Sequence, residues 1–403
     1  MTSPRRWLLA AVAVLLLATA FTGGIWVDQT FPEEVPLLQL GAGQRQQLDQ
    51  PALDQTLRLI QSHYYDPKLN YASLSRGSIR GLVQSLGDPY TEYLDADQVK
   101  SQQDFYAGRH VGMIGIYVNY VGNHPVITGV LPNSPALKAG LQTDDVILAI
   151  NGTETQGLKS EQTSALIRGP AGSKVTLHVR RGNQELDAVV TRADFDTPSV
   201  ESVRLEGDIL YLRVYDFGDS TERDFDSQLT SGLAGAHGVV VDLRDNGGGF
   251  VNAATALISR FQASGEAFEE KGRDGQVNRT NVSGSHPAAA VPLVILVNGN
   301  SASASEIVAG SLQAHGRARL VGTKTFGKGS VQVDYHLSDG GSLRLTVEHW
   351  FLPNGKSVDK VGLTPDVSVD LPDKTAMFDV VQPGRGHAGD TQLNRALQLL
   401  TGQ

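Results

Sequence analysis

Apolar and polar positions follow different periods in successive parts of the chain. Residues 45–105 carry apolar side chains at spacings near 3.6, which predicts an N-terminal helical region. Residues 108–192 contain short β-branched runs bounded by Gly, Pro and Asn, which predicts a small, mostly β module. From 198 to 370, continuous apolar strands alternate with helical patterns and predict an α/β core with parallel strands. Residues 371–403 are predicted to form a tail with one short helix.

Residues 1–27 have the pattern of an export signal. Two arginines precede an apolar run from Trp7 to Phe21, and Ala18-Thr-Ala20 offers the small residues of a cleavage site. Apolar residues resume at Ile25-Trp-Val27, and the resulting roughly 20-residue stretch is also long enough to span a bilayer. We therefore expect export to the cell envelope, outside the cytoplasm, with cleavage and membrane anchoring both left open.

Composition excludes several classes of function. The formal net charge is −9 and no basic face is evident, which argues against a nucleic-acid partner. The chain has no cysteine, so thiol catalysis, disulfides and cysteine-based metal sites are excluded. Its 10 histidines show no metal-binding spacing, and we expect neither metal nor cofactor.

One stretch combines a buried strand with a serine at the start of a helix. Pro292 to Val297 is an apolar run, an Asn-Gly-Asn turn follows, and a helical pattern begins near Ser303. The free N–H groups at a helix start can hold an oxyanion, so a serine there is a candidate nucleophile. The alternative is that Ser303 and Glu306 only form a capping box.

A second stretch has the residue spacing of a phosphate-binding loop but not the sequence that normally follows such a loop. Gly322 to Lys328 has the P-loop spacing, yet Gly329 replaces the Ser or Thr that would bind magnesium. No amphipathic helix follows, because Ser330 to Tyr335 alternates like a strand. Nucleotide binding is therefore rejected, and Lys328 is left as either a solvated turn residue or a functional one.

Together the two stretches resemble the carboxy-terminal processing (tail-specific) proteases, a family of Ser/Lys peptidases. The resemblance rests on Ser301-Ala-Ser303-Ala-Ser-Glu306, on Thr325-Phe-Gly-Lys328-Gly and on Gln332. The 25-residue interval from Ser303 to Lys328 matches the family and selects Ser303 over Ser301 and Ser305. Further blocks resemble the family's Gly-rich loop (Asp242–Gly249) and its closing strands (Phe351–Val358 and Gly362–Val367).

The resemblance implies a fold and a set of catalytic roles. The core is expected to be similar to the crotonase and Clp type of spiral α/β fold. Ser303 would attack the scissile carbonyl, a neutral Lys328 would accept its proton, and Gln332 would orient the amine. Backbone N–H groups of Ala304 and of Gly248 or Gly249 would form the oxyanion hole, and the family spacing favours Gly249.

Residues 108–192 resemble a PDZ domain, which binds a peptide C-terminus as an added strand. The implied carboxylate-binding loop contains Met113, Ile114, Gly115 and Ile116. It departs from the usual Gly-Ile-Gly because Met113 stands where the first glycine is expected. Arg168 is a candidate regulatory link between this module and the active site, with an ordinary surface arginine as the alternative.

The predicted function is therefore serine endopeptidase activity on exported proteins near their unstructured C-termini. One alternative is a non-catalytic PDZ scaffold that only binds such C-termini. Another is a Ser-His-Asp hydrolase that uses His286 or His315, although His315 is expected at the far end of the serine's helix. The N-terminal helices, with the family segment Asp88–Tyr93, are predicted to serve packing or dimerisation, so a homo-oligomer is compatible with the sequence.

Overall fold

The computed structural model describes most of the chain, namely residues 48–121, 123–373 and 376–402. The predicted export signal, residues 1–27, lies outside these ranges. Within them, none of the helices combines the length and the apolar character needed to cross a membrane.

Contacts divide the chain into two units, residues 1–73 and 74–403. Helix α1 (Gln50–His63) belongs to the first unit and begins at Asp49, whose carboxylate accepts a hydrogen bond from the Ala52 N–H at 3.1 Å. Its leucines are exposed in the described structure. Helix α2 (Tyr71–Gln84) follows at the boundary, and both helices confirm the predicted helical pattern.

A short strand interrupts the predicted helical region. Strand β1 (Glu92–Leu94) precedes helix α3 (Ala96–Tyr106), which begins with a reciprocal capping box. The Asp95 carboxylate accepts the Gln98 N–H at 3.1 Å, and the Gln98 amide oxygen accepts the Asp95 N–H at 3.0 Å. Strand β1 pairs with a strand of the α/β core that follows in the chain, so this part of the region is joined to a core sheet.

The next module is mostly β, as predicted. Its strands are β2 (Arg109–Met113), β3 (Ile116–Val121), β4 (His124–Val130), β5 (Val146–Ile150), β6 (Thr153–Glu154), β7 (Lys174–Arg181), β8 (Gln184–Thr191) and β9 (Ala193–Asp196), and its helices are α4 (Pro135–Lys138) and α5 (Ser160–Ile167). One sheet has the order β3-β4-β5-β7-β8, with β6 on β5, and β2 pairs with β9 apart from it. Strand β3 therefore lies at an edge of its sheet.

The apolar run Val175–Val179 predicts the last strand of this module, and this prediction is wrong because strand β8 follows it. Strand β8 pairs antiparallel with β7 along its whole length. Only two residues of β8, Ala188 and Val190, are buried, and its first half is mostly polar. The apolar alternation is therefore too weak to identify the strand, whereas the Gly182-Asn183 turn before it is a hairpin signal.

The core strands and helices follow in α/β order. They are β10 (Val200–Leu205), β11 (Ile209–Val214), α6 (Thr221–Leu233), β12 (Gly238–Asp242), α7 (Val251–Phe261), β13 (Glu266–Gly272), β14 (Val277–Asn281), β15 (Leu293–Val297), α8 (Ala304–Ala314), β16 (Arg319–Gly322), β17 (Ser330–His336), β18 (Ser342–Phe351) and β19 (Val367–Ser368). The main sheet has the order β10-β11-β12-β15-β16-β19, and every pair except β10–β11 is parallel. Strands β12 and β15 are apolar at nearly every position because both of their faces are buried.

A second, antiparallel sheet carries the other half of the site. Its order is β1-β18-β13-β14, with β17 paired to β18. The predicted strand after Lys328 is therefore confirmed. The expectation of closing strands is only partly met. Residues 352–358 form a turn closed by an isolated bridge between Phe351 and Ser357, and only Val367–Ser368 pairs with the main sheet.

The C-terminal tail packs into the core. Helix α9 (Thr391–Thr401) buries Leu393, Ala396 and Leu397 against the main sheet. Asp390 caps this helix and also binds the fully buried Arg244, with two oxygen–nitrogen distances of 2.9 Å. Arg244 lies in the segment that leads to the Gly-rich loop, so the tail contacts a side chain of that segment.

Candidate active site

Ser303 stands at a sharp strand-to-helix turn, as predicted. Strand β15 ends at Val297 and helix α8 begins at Ala304, with Ser303 as its N-cap. The Ser303 backbone has φ 55° and ψ −116°, a conformation that side-chain-bearing residues rarely adopt. Such strain persists only where surrounding contacts fix it, and it is typical of functional positions.

The two neighbouring serines are engaged elsewhere. The Ser301 hydroxyl donates to the Leu243 carbonyl at 2.7 Å, and the Ser305 hydroxyl donates to the Asn246 carbonyl at 2.8 Å. Both serines are fully buried, whereas Ser303 is partly exposed and lines a cavity of about 740 Å³. Only Ser303 of the three is therefore placed to meet a substrate.

Glu306 joins the serine turn to the lysine loop. Its carboxylate is fully buried and accepts four hydrogen bonds. One oxygen, Oε2, accepts the backbone N–H of Ser303 at 3.0 Å and that of Lys328 at 2.9 Å. The other, Oε1, accepts the Thr325 hydroxyl at 2.5 Å and the Gly327 N–H at 2.8 Å. Glu306 thus fixes the relative position of Ser303 and Lys328, which is more than the capping role allowed by the sequence.

The loop around Lys328 is held tightly by backbone contacts. The Lys328 carbonyl accepts the Trp350 indole N–H at 3.0 Å, and the Gly329 carbonyl accepts the Trp350 N–H at 2.9 Å. A Cβ atom at Gly329 would lie 2.6 Å from the Asp359 Cβ, so only glycine fits there. The Lys328 loop therefore packs closely against the segment around Asp359.

The Lys328 side chain is partly buried and lines the same cavity as Ser303. Burial, followed by the nearby Arg344 guanidinium, lowers the pKa of Lys328 below its ordinary value. Its Nζ lies 5.1 Å from the centroid of the Tyr90 ring, over the ring face. Among the described residues, no hydrogen bond joins Lys328 Nζ to Ser303 Oγ in this conformation.

Gln332 lies on β17 and lines the cavity with Ser303 and Lys328. Its side-chain amide nitrogen donates to Ser330 Oγ at 2.8 Å and to Thr346 Oγ1 at 3.1 Å. These two bonds fix the amide group. The predicted role of Gln332 in orienting the Lys328 amine stays a prediction.

The Gly-rich loop approaches the serine turn closely. A Cβ atom at Gly248 would lie 2.9 Å from both the Ala304 nitrogen and the Ser303 Cβ, so no larger residue fits there. The Gly248 N–H donates to Asn246 Oδ1 at 2.8 Å and is therefore engaged. The Gly249 N–H has no acceptor within the described part of the chain. As the first residue of α8, Ala304 likewise has no intrahelical acceptor for its N–H.

The cavity is lined by both apolar and charged side chains. Its lining includes Phe250, Ile307 and Trp350 among the apolar residues and Asp334 and Arg344 among the charged ones.

The structure does not support the histidine alternative. His315 is the C-cap of α8, and its Nε2 is paired with the Glu266 carbonyl at 2.7 Å. His286 Nδ1 is paired with the Ser259 carbonyl. Neither histidine lines the cavity that contains Ser303. Across the described ranges, no group of three or more His, Asp or Glu side chains is placed to hold a metal ion.

A separate cavity of about 350 Å³ lies in the PDZ-like module between edge strand β3 and helix α5. All five residues predicted for this module line it: Met113, Ile114, Gly115, Ile116 and Arg168. Arg168 lies at the C-terminus of α5 and is not part of the lining of the larger cavity. Its regulatory role stays a prediction.

Two features of the site were missed from the sequence. Phe105, at the end of α3, lines both cavities, and Tyr106 packs on Phe250 with ring centroids 4.7 Å apart. Adjacent aromatic residues at the end of a polar helix were the only signal. Tyr90 was noted as part of a family segment, but nothing in the sequence placed its ring at Lys328.

Family models match three parts of the chain. Peptidase family S41 matches residues 208–369, a PDZ domain matches residues 126–181, and the N-terminal domain of the activating protease CtpB matches residues 18–98. The order of these matches agrees with the α/β core and the β module seen in the structure.

Curated relatives are similar along most of their length. A carboxy-terminal-processing protease of Bartonella bacilliformis is 35% identical over 82% of this chain and 83% of its own. A CtpA-like serine protease of Staphylococcus aureus is 32% identical over 88% of this chain and 71% of its own.

Solved structures agree with the fold. The photosystem II D1 C-terminal processing protease is 28% identical, with a TM-score of 0.54 over 83% of this chain and 91% of that one. An S41 protease from Bacteroides fragilis, 19% identical with a TM-score of 0.59 over 84% of this chain and 92% of that one, supports the fold alone. The predicted combination of an α/β peptidase core and a PDZ domain is confirmed.

Proposed function

The chain belongs to peptidase family S41, and from that membership we propose that Ser303 and Lys328 form a Ser/Lys dyad that cleaves proteins near their C-termini. The observation that carries the proposal is the shared Glu306 oxygen, which accepts the backbone N–H groups of both residues. Two residues 25 positions apart are thereby held at one cavity. A non-catalytic scaffold would have no need of this connection.

In the proposed reaction, Ser303 Oγ attacks the scissile carbonyl and transfers its proton to the neutral amine of Lys328. The resulting ammonium then protonates the leaving amine, and an acyl-enzyme remains on Ser303. Water attacks this ester with Lys328 again as the base. The lowered pKa of Lys328 supports the role, because a base must be deprotonated at working pH. The dyad hydrogen bond absent from this conformation would form in the substrate complex.

The oxyanion of each tetrahedral intermediate needs backbone donors. We assign Ala304 and Gly249 to this role, because no described residue accepts a hydrogen bond from either N–H group, while the Gly248 N–H donates to Asn246 Oδ1. Gln332 is assigned to Lys328 as an uncharged partner. Its amide nitrogen is already bonded to Ser330 and Thr346, so its carbonyl oxygen is the atom that would accept from the amine.

The PDZ cavity would hold the substrate's C-terminus. Strand β3 is an edge strand, so an extended peptide can add to it, and Leu131, Ile114 and Ile167 offer an apolar pocket for the last side chain. Unstructured C-termini that end in an apolar residue are therefore the proposed substrates. Arg168, at the edge of this cavity, is the proposed contact through which occupancy is sensed.

The test is incubation of an unstructured polypeptide with the enzyme, followed by mass spectrometry of the products. We expect cleavage near the C-terminus by the wild type and none by Ser303→Ala or Lys328→Ala. Ser305→Ala is the matched control, because Ser305 is a buried neighbour that should leave cleavage intact. Cleavage by Ser303→Ala, or loss of cleavage only in Ser305→Ala, would contradict the assignment.

We also propose that residues 1–27 export the protein to the cell envelope, on the strength of their charge and hydropathy pattern. Fractionation of cells that express the full-length protein tests this proposal. Activity should be found in the membrane or extracytoplasmic fraction. Recovery from cytosol alone, with Met1 still present, would refute it.

A further inference from the structure

Tyr90 contacts the side chain of Lys328. The Lys328 Nζ lies over the Tyr90 ring, 5.1 Å from its centroid, which is within the range of a cation–π interaction. The Tyr90 ring is partly buried. No described residue forms a hydrogen bond with the Tyr90 hydroxyl. The ring face is therefore the part of Tyr90 that acts on Lys328.

The segment that contains Tyr90 is held in place by the side chains of its neighbours Asp88 and Thr91. The Asp88 carboxylate accepts the Tyr90 N–H at 3.0 Å and the Thr91 hydroxyl at 2.6 Å. The Thr91 oxygen in turn accepts the Thr346 N–H of strand β18 at 3.0 Å. The following strand, β1, pairs with β18, so the segment is fixed to the sheet that also carries Gln332.

We propose that Tyr90 is a positioning residue for Lys328, whose ammonium form its ring binds in a resting arrangement away from Ser303. The proposal rests on the proposed function, in which the neutral amine of Lys328 is the base. A ring face attracts a cation but not a neutral amine. Loss of the proton therefore releases the amine from the ring and leaves it free to accept the Ser303 hydroxyl proton.

Charged groups on every neighbouring element also act on Lys328. The Arg344 guanidinium on β18 disfavours the ammonium form of Lys328. The carboxylates of Asp88, Glu92 and Glu306 favour it. Asp359 faces Tyr90, and His349 faces Asp88. These groups are unchanged when only the Tyr90 ring is replaced. A substitution at Tyr90 therefore isolates the contribution of the ring.

The matched pair of variants is Tyr90→Leu, which removes the ring, and Tyr90→Phe, which removes only the hydroxyl. The pH dependence of kcat/KM is measured for full-length enzyme with labelled casein as substrate. In Tyr90→Leu, the midpoint of the rising limb should move to lower pH by roughly 0.4 to 1.5 units, because the ammonium loses its cation–π partner. In Tyr90→Phe, the midpoint should stay at the wild-type value.

A second measurement does not depend on activity. In the Ser303→Ala background, the rate of Lys328 acetylation by acetic anhydride is followed by mass spectrometry across pH. Tyr90→Leu should shift the labelling midpoint in the same direction and Tyr90→Phe should not. An unchanged or raised midpoint in folded Tyr90→Leu would overturn the proposal.

Failure of the Ser303/Lys328 dyad assignment would give a different result from failure of the Tyr90 proposal. If Lys328→Ala retained cleavage, Lys328 would not be the base, whatever the Tyr90 variants do. If Lys328→Ala is inactive and Tyr90→Leu keeps the wild-type midpoint in both measurements, only the role of Tyr90 is refuted.

Discussion

Replacement of Glu306 by Gln should both destabilise the protein and disable the site. The two carboxylate oxygens each accept two hydrogen bonds, from Ser303 and Lys328 on one side and from Thr325 and Gly327 on the other. A glutamine side chain has the same shape, but its NH₂ group cannot accept. In either orientation of the amide, two buried donors lose their acceptor.

The magnitude follows from these two lost bonds. A hydrogen bond to a charged group contributes about 1.5–3 kcal/mol net, so the free energy of unfolding should fall by about 3–6 kcal/mol. That is a large part of the roughly 5–15 kcal/mol typical of a folded domain. Because the serine turn and the lysine loop are no longer tied together, kcat/KM should fall as well.

Urea unfolding and peptidase assays on the purified variants give both quantities. The matched control is Glu222→Gln, which alters an exposed partner of Arg260 at 3.0 Å and should cost less than about 1 kcal/mol. The reasoning is refuted if Glu306→Gln unfolds at the same urea concentration as Glu222→Gln and cleaves at the wild-type rate.

Four further outcomes are expected. For the wild type, kcat/KM should rise with pH through the lowered pKa of Lys328, because the fraction of neutral amine grows. In Lys328→Arg, kcat/KM should fall by at least about 100-fold, because the guanidinium stays protonated. A Lys328→Arg enzyme with normal turnover would place the base elsewhere. In thermal melts, Asp390→Asn should lower the free energy of unfolding by about 3–5 kcal/mol, because it leaves the buried Arg244 with one carboxylate fewer. A change of less than about 1 kcal/mol would contradict this prediction. Amidation of a peptide's C-terminal carboxylate should slow its cleavage if the PDZ cavity binds that group, and equal rates for the free acid and the amide would count against it.

The sequence was most informative where burial is complete on both sides of an element. Strand β15 lies where its apolar run predicted a buried strand, and strand β12 and helix α7 follow the predicted alternation of apolar strands and helices, because both faces of the strands and one face of the helix are covered. Ser303 and Lys328 were predicted through the resemblance to the tail-specific proteases, which rests on the motifs around them and on the 25-residue interval between them.

The features that the sequence did not predict depend on contacts between segments that are distant in the chain. The polar strand β8 is fixed by pairing with β7 rather than by its own apolar alternation. Glu306 looked like a helix cap, and its bonds to the Lys328 loop became visible only when residues about 20 positions apart were placed together. Tyr90 is farther still from Lys328 in the chain, and the pairing of β1 with β18 helps to bring the two together.

The most direct test of the central claim is capture of the acyl-enzyme. A peptide substrate is mixed with the full-length enzyme, the reaction is quenched in acid during turnover, and the enzyme is digested and mapped by mass spectrometry. The dyad predicts an ester of the N-terminal product on Ser303 that is absent from Lys328→Ala. An acyl group on any other residue, or an undiminished ester on Ser303 in Lys328→Ala, would contradict it.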